Sequence, residues 1–227
     1  MVIKLSGSVF EPPVDANVIS SLCKTFKSVT EDKVQPIIVA GGGSVARNYI
    51  RILRDLGSDE TTQDEIGIAV SRLNAKIMIQ GLKDKAFPTV PSSMDELSIA
   101  LCSKSIVVLG GLYPGHSTNA TAALVAEKSN ASLFINATDV DGVYSNDPRI
   151  DKKAKKFDQI DTKSLFDLIS KSPMSAGAYD LMDPLSVKII ERSRIKTRVI
   201  LCTSENIMAA IKGHQIGTEI IMGKQIV

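Results

Sequence analysis

A chain of 227 residues, 44% of them hydrophobic, can bury a sizeable core as one large domain or two small ones; with 4% aromatics and no tryptophan, that core must be aliphatic. The net charge of +2, from 27 basic and 25 acidic residues, lacks the basic excess of a nucleic-acid-binding protein. Cys23, Cys102 and Cys202 are widely spaced, odd in number and without a C-x-x-C pair, which argues against a disulfide scaffold or a zinc cluster and for free thiols in a reducing, cytoplasmic setting.

No secretory signal and no apolar run of membrane-spanning length is visible. In chain order, residues 2–5 read as a short buried strand that ends at Ser6-Gly7-Ser8. Asp15 is placed to cap a helix whose apolar positions are Val18, Leu22, Phe26 and Val29. Residues 37–40 form a second strand, followed by Gly41-Gly42-Gly43-Ser44 and a helix marked by Val45, Tyr49, Ile52 or Leu53, and Leu56. Asp64 begins a longer helix with Ile66, Val70, Leu73 and Ile77 on one face. A short extended piece at 87–90 and a helix at 94–101 lead to a strand at 106–109.

That strand breaks into Gly110-Gly111-Leu112-Tyr113-Pro114-Gly115-His116-Ser117-Thr118, and a helix at 119–128 follows. A strand at 132–136 stops at Thr138-Asp139-Val140-Asp141-Gly142-Val143-Tyr144. Residues 146–156 are polar and read as an exposed excursion. Asp161 caps a helix through Leu165, Leu168 and Ile169, and 172–178 is loop-like. Pro184 sits in the first turn of a helix carrying Val187 and Ile190. A strand at 198–202, a helix at 205–211 and a closing hairpin of 217–221 with 225–227 complete the chain. Strands and helices alternate throughout, which predicts a three-layer α/β/α sandwich. No linker divides it, and any joint between two lobes falls near 130–137.

The chemistry begins with exclusions. Gly110-x4-Gly115-His116-Ser117 nearly matches a P-loop, but His116 stands where the motif needs lysine. The three glycines at 41–43 lack the spacing of a dinucleotide fingerprint. What remains is four polar or glycine loops after strands: 6–8, 41–43, 110–118 and 138–147. Backbone amides at such loops and at helix starts bind anions. Lys4 and Arg47 are placed to neutralise phosphate, and Asp183 to orient a lysine or a magnesium ion. Each has a plainer reading: an edge-strand charge for Lys4, a surface arginine for Arg47, a helix cap for Asp183 and for Asp64.

These loops carry a resemblance that covers essentially the whole chain. Gly41-Gly42-Gly43-Ser44-Val45-Ala46-Arg47, the 110–118 loop, and Thr138 to Tyr144 continuing to Asp147-Pro148 resemble the amino acid kinase superfamily. The Pro-Gly-His-Ser-Thr loop with Asp64-Glu65-Ile66-Gly67-Ile68 resembles its archaeal-type uridylate kinases. The resemblance implies a mainly parallel central sheet and magnesium-dependent phosphoryl transfer from ATP to UMP in pyrimidine nucleotide synthesis. It also implies a homohexamer built as a trimer of dimers, with UTP as inhibitor. A UMP-binding part would span about 1–130 and an ATP-binding part about 131–227.

By position, the resemblance gives Gly7, Ser8, Gly43 and Arg47 to the ATP phosphates, and Thr138, Tyr144 and Asp147 to the nucleoside side of ATP. It gives Gly42 and the backbone of Leu112, Tyr113, Pro114, Gly115, His116, Ser117 and Thr118 to UMP, and Asp64 to the UMP ribose. Lys4 and Asp183 are the implied catalytic pair, with Asp183 holding Lys4 and helping to organise magnesium. Two alternatives stay open: another small-acceptor kinase of the superfamily (acetylglutamate, carbamate or isopentenyl phosphate) and a non-catalytic nucleotide-binding regulator.

Overall fold

The computed structural model describes residues 1–31, 34–171 and 181–223. Seven strands form one sheet: β1 (Val2–Leu5), β2 (Ile37–Ala40), β3 (Val107–Leu109), β4 (Phe134–Thr138), β5 (Gln159–Asp161), β6 (Thr197–Leu201) and β7 (Thr218–Ile221). Their order is β3-β2-β1-β4-β6-β7-β5. All pairings are parallel except β6 with β7. Strands β1 to β4 are buried along their whole length, as parallel strands covered on both faces must be.

The helices are α1 (Ala16–Glu31), α2 (Gly43–Asp55), α3 (Glu60–Leu82), α4 (Met94–Cys102), α5 (Thr118–Lys128), α6 (Thr162–Lys171), α7 (Pro184–Ser193) and α8 (Ser204–Ile211). Alternating strand residues feed two cores. Val2, Val39 and Phe134 pack with side chains of α4, α5 and α7, whereas Ile3, Leu5 and Ile38 pack with those of α1, α3 and α8. The three-layer architecture stands as read from the sequence.

Several faces differ from the periodicity reading. On α1, Ile19 and Cys23 join Leu22, Phe26 and Val29 in the core, while Val18 is exposed. On α2 the buried residues are Gly43 and Ala46; Tyr49, Ile52 and Leu56 face outward. On α3, Leu73 is exposed and the polar Gln63, Ser71 and Asn74 are buried. An apolar stripe about 100° wide leaves the inward direction uncertain by one residue. Strand β5 has no sequence signal, because Ile160 is its single buried residue. The 172–178 loop and the 225–227 strand of the expected hairpin lie outside the described residues. Among the described residues no helix is long and apolar enough to cross a membrane.

Candidate active site

Chain order and strand order together place the site. From β1 the chain steps outward to β2 and β3, then returns to β4 on the other side of β1, with β5, β6 and β7 all lying beyond β4. The reversal between β1 and β4 is the switch point at which open parallel sheets bind ligands, beyond the carboxyl ends of the strands. The four loops singled out from sequence leave the ends of β1, β2, β3 and β4, so all four emerge on that edge.

The first two loops press together. A Cβ on Gly7 would lie 2.1 Å from the Gly43 amide nitrogen, and one on Gly43, whose φ is +70°, would lie 2.6 Å from the Gly7 carbonyl oxygen. Glycine is required at both, by backbone contact and by the left-handed conformation of Gly43. After Ser6, residues Gly7–Phe10 form a single 3-10 turn capped by the Ser6 hydroxyl.

Helix α3 grips two of the loops from behind. Asn74 Nδ2 donates to the Gly41 carbonyl at 2.8 Å. The Ser71 hydroxyl accepts from the Gly111 amide at 2.8 Å, and Arg72 donates to the carbonyls of Gly111, Leu112 and Ser92 at 3.0, 3.3 and 3.2 Å. About two turns nearer its start, Asp64 Oδ2 accepts from the Gly115 amide at 2.7 Å. A cleft of about 220 Å³ results, lined by Gly42, Gly43, Arg47, Asp64, Gly111, His116, Ser117 and Thr118 among others. The amino-termini of α2 and α5 both face it, and each brings the positive end of a helix dipole.

Two helix caps are joined at the same edge. Ser117 caps α5 by accepting from the amides of Asn119 and Ala120, each at 3.0 Å. Asp183 caps α7 by accepting from the Ser186 amide at 2.9 Å. The Ser117 hydroxyl donates to the other Asp183 oxygen at 2.5 Å. The cap reading of Asp183 is therefore correct, and it leaves room for a second role. Just before it, the Leu181 carbonyl accepts from Asn136 of β4 at 2.9 Å and from Asn119 of α5 at 3.4 Å, which fixes the chain that delivers Asp183.

Lys4 is no edge charge. Its strand is central, its register partners are Val39 and Asn136, and it is 7% exposed. Alternation puts it on the Val2 side of the sheet, the side of α5 and α7. Its positive charge also reaches Cys202, whose thiol is pushed up to about 11 by burial, against the opposing pull of the Ser6 backbone and Lys4. Burial thus favours the neutral thiol over the thiolate, the form that acts as a nucleophile.

The fourth loop is polar and internally bonded. Thr138 is buried, and its hydroxyl donates to Asp139 at 3.1 Å. The Tyr144 hydroxyl donates to Asp141 at 2.7 Å. Asp147 accepts from Arg149 through both oxygens, at 2.9 to 3.2 Å, and these bonds hold its carboxyl below the usual range. A second cleft, of about 380 Å³, lies between this loop and β6, lined by Asp141, Lys156, Ile200, Asn206 and Gln215 among others. A larger one of about 870 Å³, between α6 and α7, touches none of the four loops, so size alone does not select the site.

The site thus unites Lys4, Gly7, Ser8, Gly42, Gly43, Arg47, Asp64, the 110–118 loop and Asp183 on one edge, with Thr138, Tyr144 and Asp147 following β4. Ser71, Arg72, Asn74, Asn119 and Asn136 also shape it, as does Glu11, which accepts from the Ser44 amide at the start of α2, and none of them was foreseen. The polar residues 71 and 74 within an otherwise aliphatic helix face were the available signal.

Comparison with known proteins converges on one group. The amino acid kinase family profile matches residues 1–201. A uridylate kinase of Archaeoglobus fulgidus is 46% identical over 97% of this chain and 99% of its own length, and one of Methanocorpusculum labreanum is 42% identical over 96% and 94%. The crystal structure of the Archaeoglobus fulgidus uridylate kinase superposes with a TM-score of 0.86 at 45% identity, covering 96% of this chain and 99% of that one. A UMP kinase structure from Ureaplasma parvum, at 21% identity over 97% of each chain and a TM-score of 0.79, shares the fold.

Proposed function

The chain belongs to the amino acid kinase family, and we propose that within it the protein is an archaeal-type uridylate kinase that transfers the γ-phosphoryl of ATP to UMP, giving ADP and UDP. One observation carries this reading: a cleft at the switch point that sets two helix amino-termini opposite a carboxylate, Asp64. Helix starts and loop amides suit the phosphate of a nucleotide, and a carboxylate suits its ribose hydroxyls. The uridylate kinases at 46% and 42% identity support UMP as the acceptor.

In this reading UMP lies against Gly42 and the backbone of residues 112–118, and its ribose donates to Asp64. Asp64 also holds the Gly115 amide, so reading the ribose and placing the loop are coupled. The ATP phosphates lie against Gly7, Ser8, Gly43 and Arg47, and the nucleoside lies beside Thr138, Tyr144 and Asp147. The part up to about residue 130 then chiefly holds UMP and the part after it chiefly ATP, the division following the β1/β4 switch point.

Transfer is in-line between two anions, so the protein's work is positioning and charge stabilisation. Lys4 neutralises the phosphoryl group in flight. Asp183, fixed by Ser117 and its helix cap, orients the groups around it. The UMP phosphate is already an anionic nucleophile and needs little help from a general base. Among the described residues no three metal-ligating side chains gather. Magnesium is normally held by one or two carboxylates plus substrate phosphates, and Asp183 fits that requirement. The ion, when bound, offsets charge on the β- and γ-phosphates. Cytoplasmic pyrimidine nucleotide synthesis, inhibition by UTP and a hexameric assembly belong to the same reading.

The test is ADP release with magnesium-ATP against UMP, CMP, dUMP, acetylglutamate, carbamate and isopentenyl phosphate. Selective turnover of UMP is expected. Preference for a non-nucleotide acceptor would reassign the Asp64 cleft, and silence on every acceptor would make the protein a nucleotide-binding regulator.

A further inference from the structure

The amino-terminus of α2 already has an anion on it. Its cap residue, Gly42, has no side chain to offer. The 3-10 turn after β1 instead delivers Glu11, whose Oε1 accepts from the Ser44 amide at 2.8 Å and from Arg47 Nη2 at 3.4 Å. Its second oxygen accepts from the Ser44 hydroxyl. The same carboxylate lies over Gly43: a Cβ built there would be 3.3 Å from Glu11 Oε1. Glu11 thus uses the donors and covers the glycine that a nucleotide phosphate is expected to use.

We propose that Glu11 sets the enzyme's affinity for its phosphate donor by competing, as an internal carboxylate, for Arg47 and the amino-terminus of α2. The inference rests on the assignment of Gly43 and Arg47 to the ATP phosphates. Two anions cannot share these donors, because like charges at this distance repel and each amide hydrogen serves one strong acceptor. Glu11 must therefore turn away before the phosphates settle. The turn is feasible because the Glu11 side chain is 35% exposed and Arg47 is 71% exposed, so the pair is solvated and its bond weak. The result is a conformational tax on ATP: apparent affinity is scaled by the fraction of molecules in which Glu11 has withdrawn. The tax falls chiefly on ATP, because Glu11 lies over Gly43 and on Arg47, both assigned to the ATP phosphates, whereas the ribose and acceptor-loop contacts of UMP do not involve it.

Glu11→Gln is the informative variant. Glutamine keeps an oxygen for the Ser44 amide, so α2 stays capped, but it loses the charge that competes with phosphate. The KM for magnesium-ATP, and the Kd of a non-hydrolysable ATP analogue, are expected to fall about threefold or more, the tax expected of a weak, solvated pair. The KM for UMP should stay within about twofold by the same argument. Should the glutamine variant fail to fold, Glu11→Ala is read by the same criterion. Unchanged or weakened ATP binding overturns the proposal. Arg47→Ala separates the two levels. If it weakens ATP binding while Glu11→Gln does not strengthen it, this inference alone fails. If it leaves ATP binding untouched, the phosphate assignment fails and this inference with it.

Discussion

Asp183 has a structural role in the fold that a substitution can separate from the chemical role proposed for it. Oδ1 caps α7 and Oδ2 receives the Ser117 hydroxyl, so the carboxylate is fixed before any substrate is considered. Asparagine caps helices about as well as aspartate, and its amide oxygen can still accept one of these bonds. Asp183→Asn therefore isolates the charge. It should lower kcat at least ~100-fold, the scale of a lost transition-state contact, with binding of the ATP analogue nearly intact. Initial rates alongside analogue titration check this, and an unchanged kcat would remove Asp183 from the mechanism. Lys4 stood out in the sequence only as a basic residue just ahead of the 6–8 loop; that its strand is central and buried, where a lysine is costly unless the surroundings compensate it, is shown by the structure. Glu11, Arg72 and Asn74 were not legible, because their roles depend on meeting residues 33, 39 and 33 positions away.

At the scale of elements, the loops act as pairs. Gly7 and Gly43 belong to loops after different strands, yet they touch backbone to backbone. Sequence shows that each loop is glycine-rich and follows a strand; that the two glycines face each other follows from β1 and β2 being parallel neighbours in register. Gly7→Ala would place a methyl 2.1 Å from the Gly43 nitrogen, where neither backbone can yield cheaply. Overpacking of this kind costs about 2–3 kcal/mol. Urea denaturation should show that loss, and ATP turnover should fall with it because the displaced atoms are those assigned to the phosphates. Full stability in Gly7→Ala would mean that the loops are not packed as described. The order of the elements was readable because strand and helix signals alternate and punctuation by glycine is strong. Faces were less readable, because α1 and α2 carry apolar residues on more than one side.

For the whole molecule, the misread face of α2 is the most informative. Tyr49, Ile52 and Leu56 have helical spacing, yet they are 48%, 45% and 76% exposed. Leu73 of α3, the helix packed beside α2, is 58% exposed as well. The periodicity was real, but it does not point at the core of this chain. Apolar residues at i, i+3 and i+7 on an outer face are what a subunit contact between helices needs, and a cluster of this kind is uncommon on a monomer. Within the hexamer proposed above, this face is assigned to a second copy of the chain. Ile52→Glu adds a buried charge to such a contact and changes nothing in the core, so the fold should survive while the assembly does not. Light scattering should give the proposed hexamer for the parent protein and a mass lower by about twofold or more for the variant, as expected when a symmetric contact is lost. A variant with unchanged mass would place the subunit contacts elsewhere and leave the apolar face of α2 without this role.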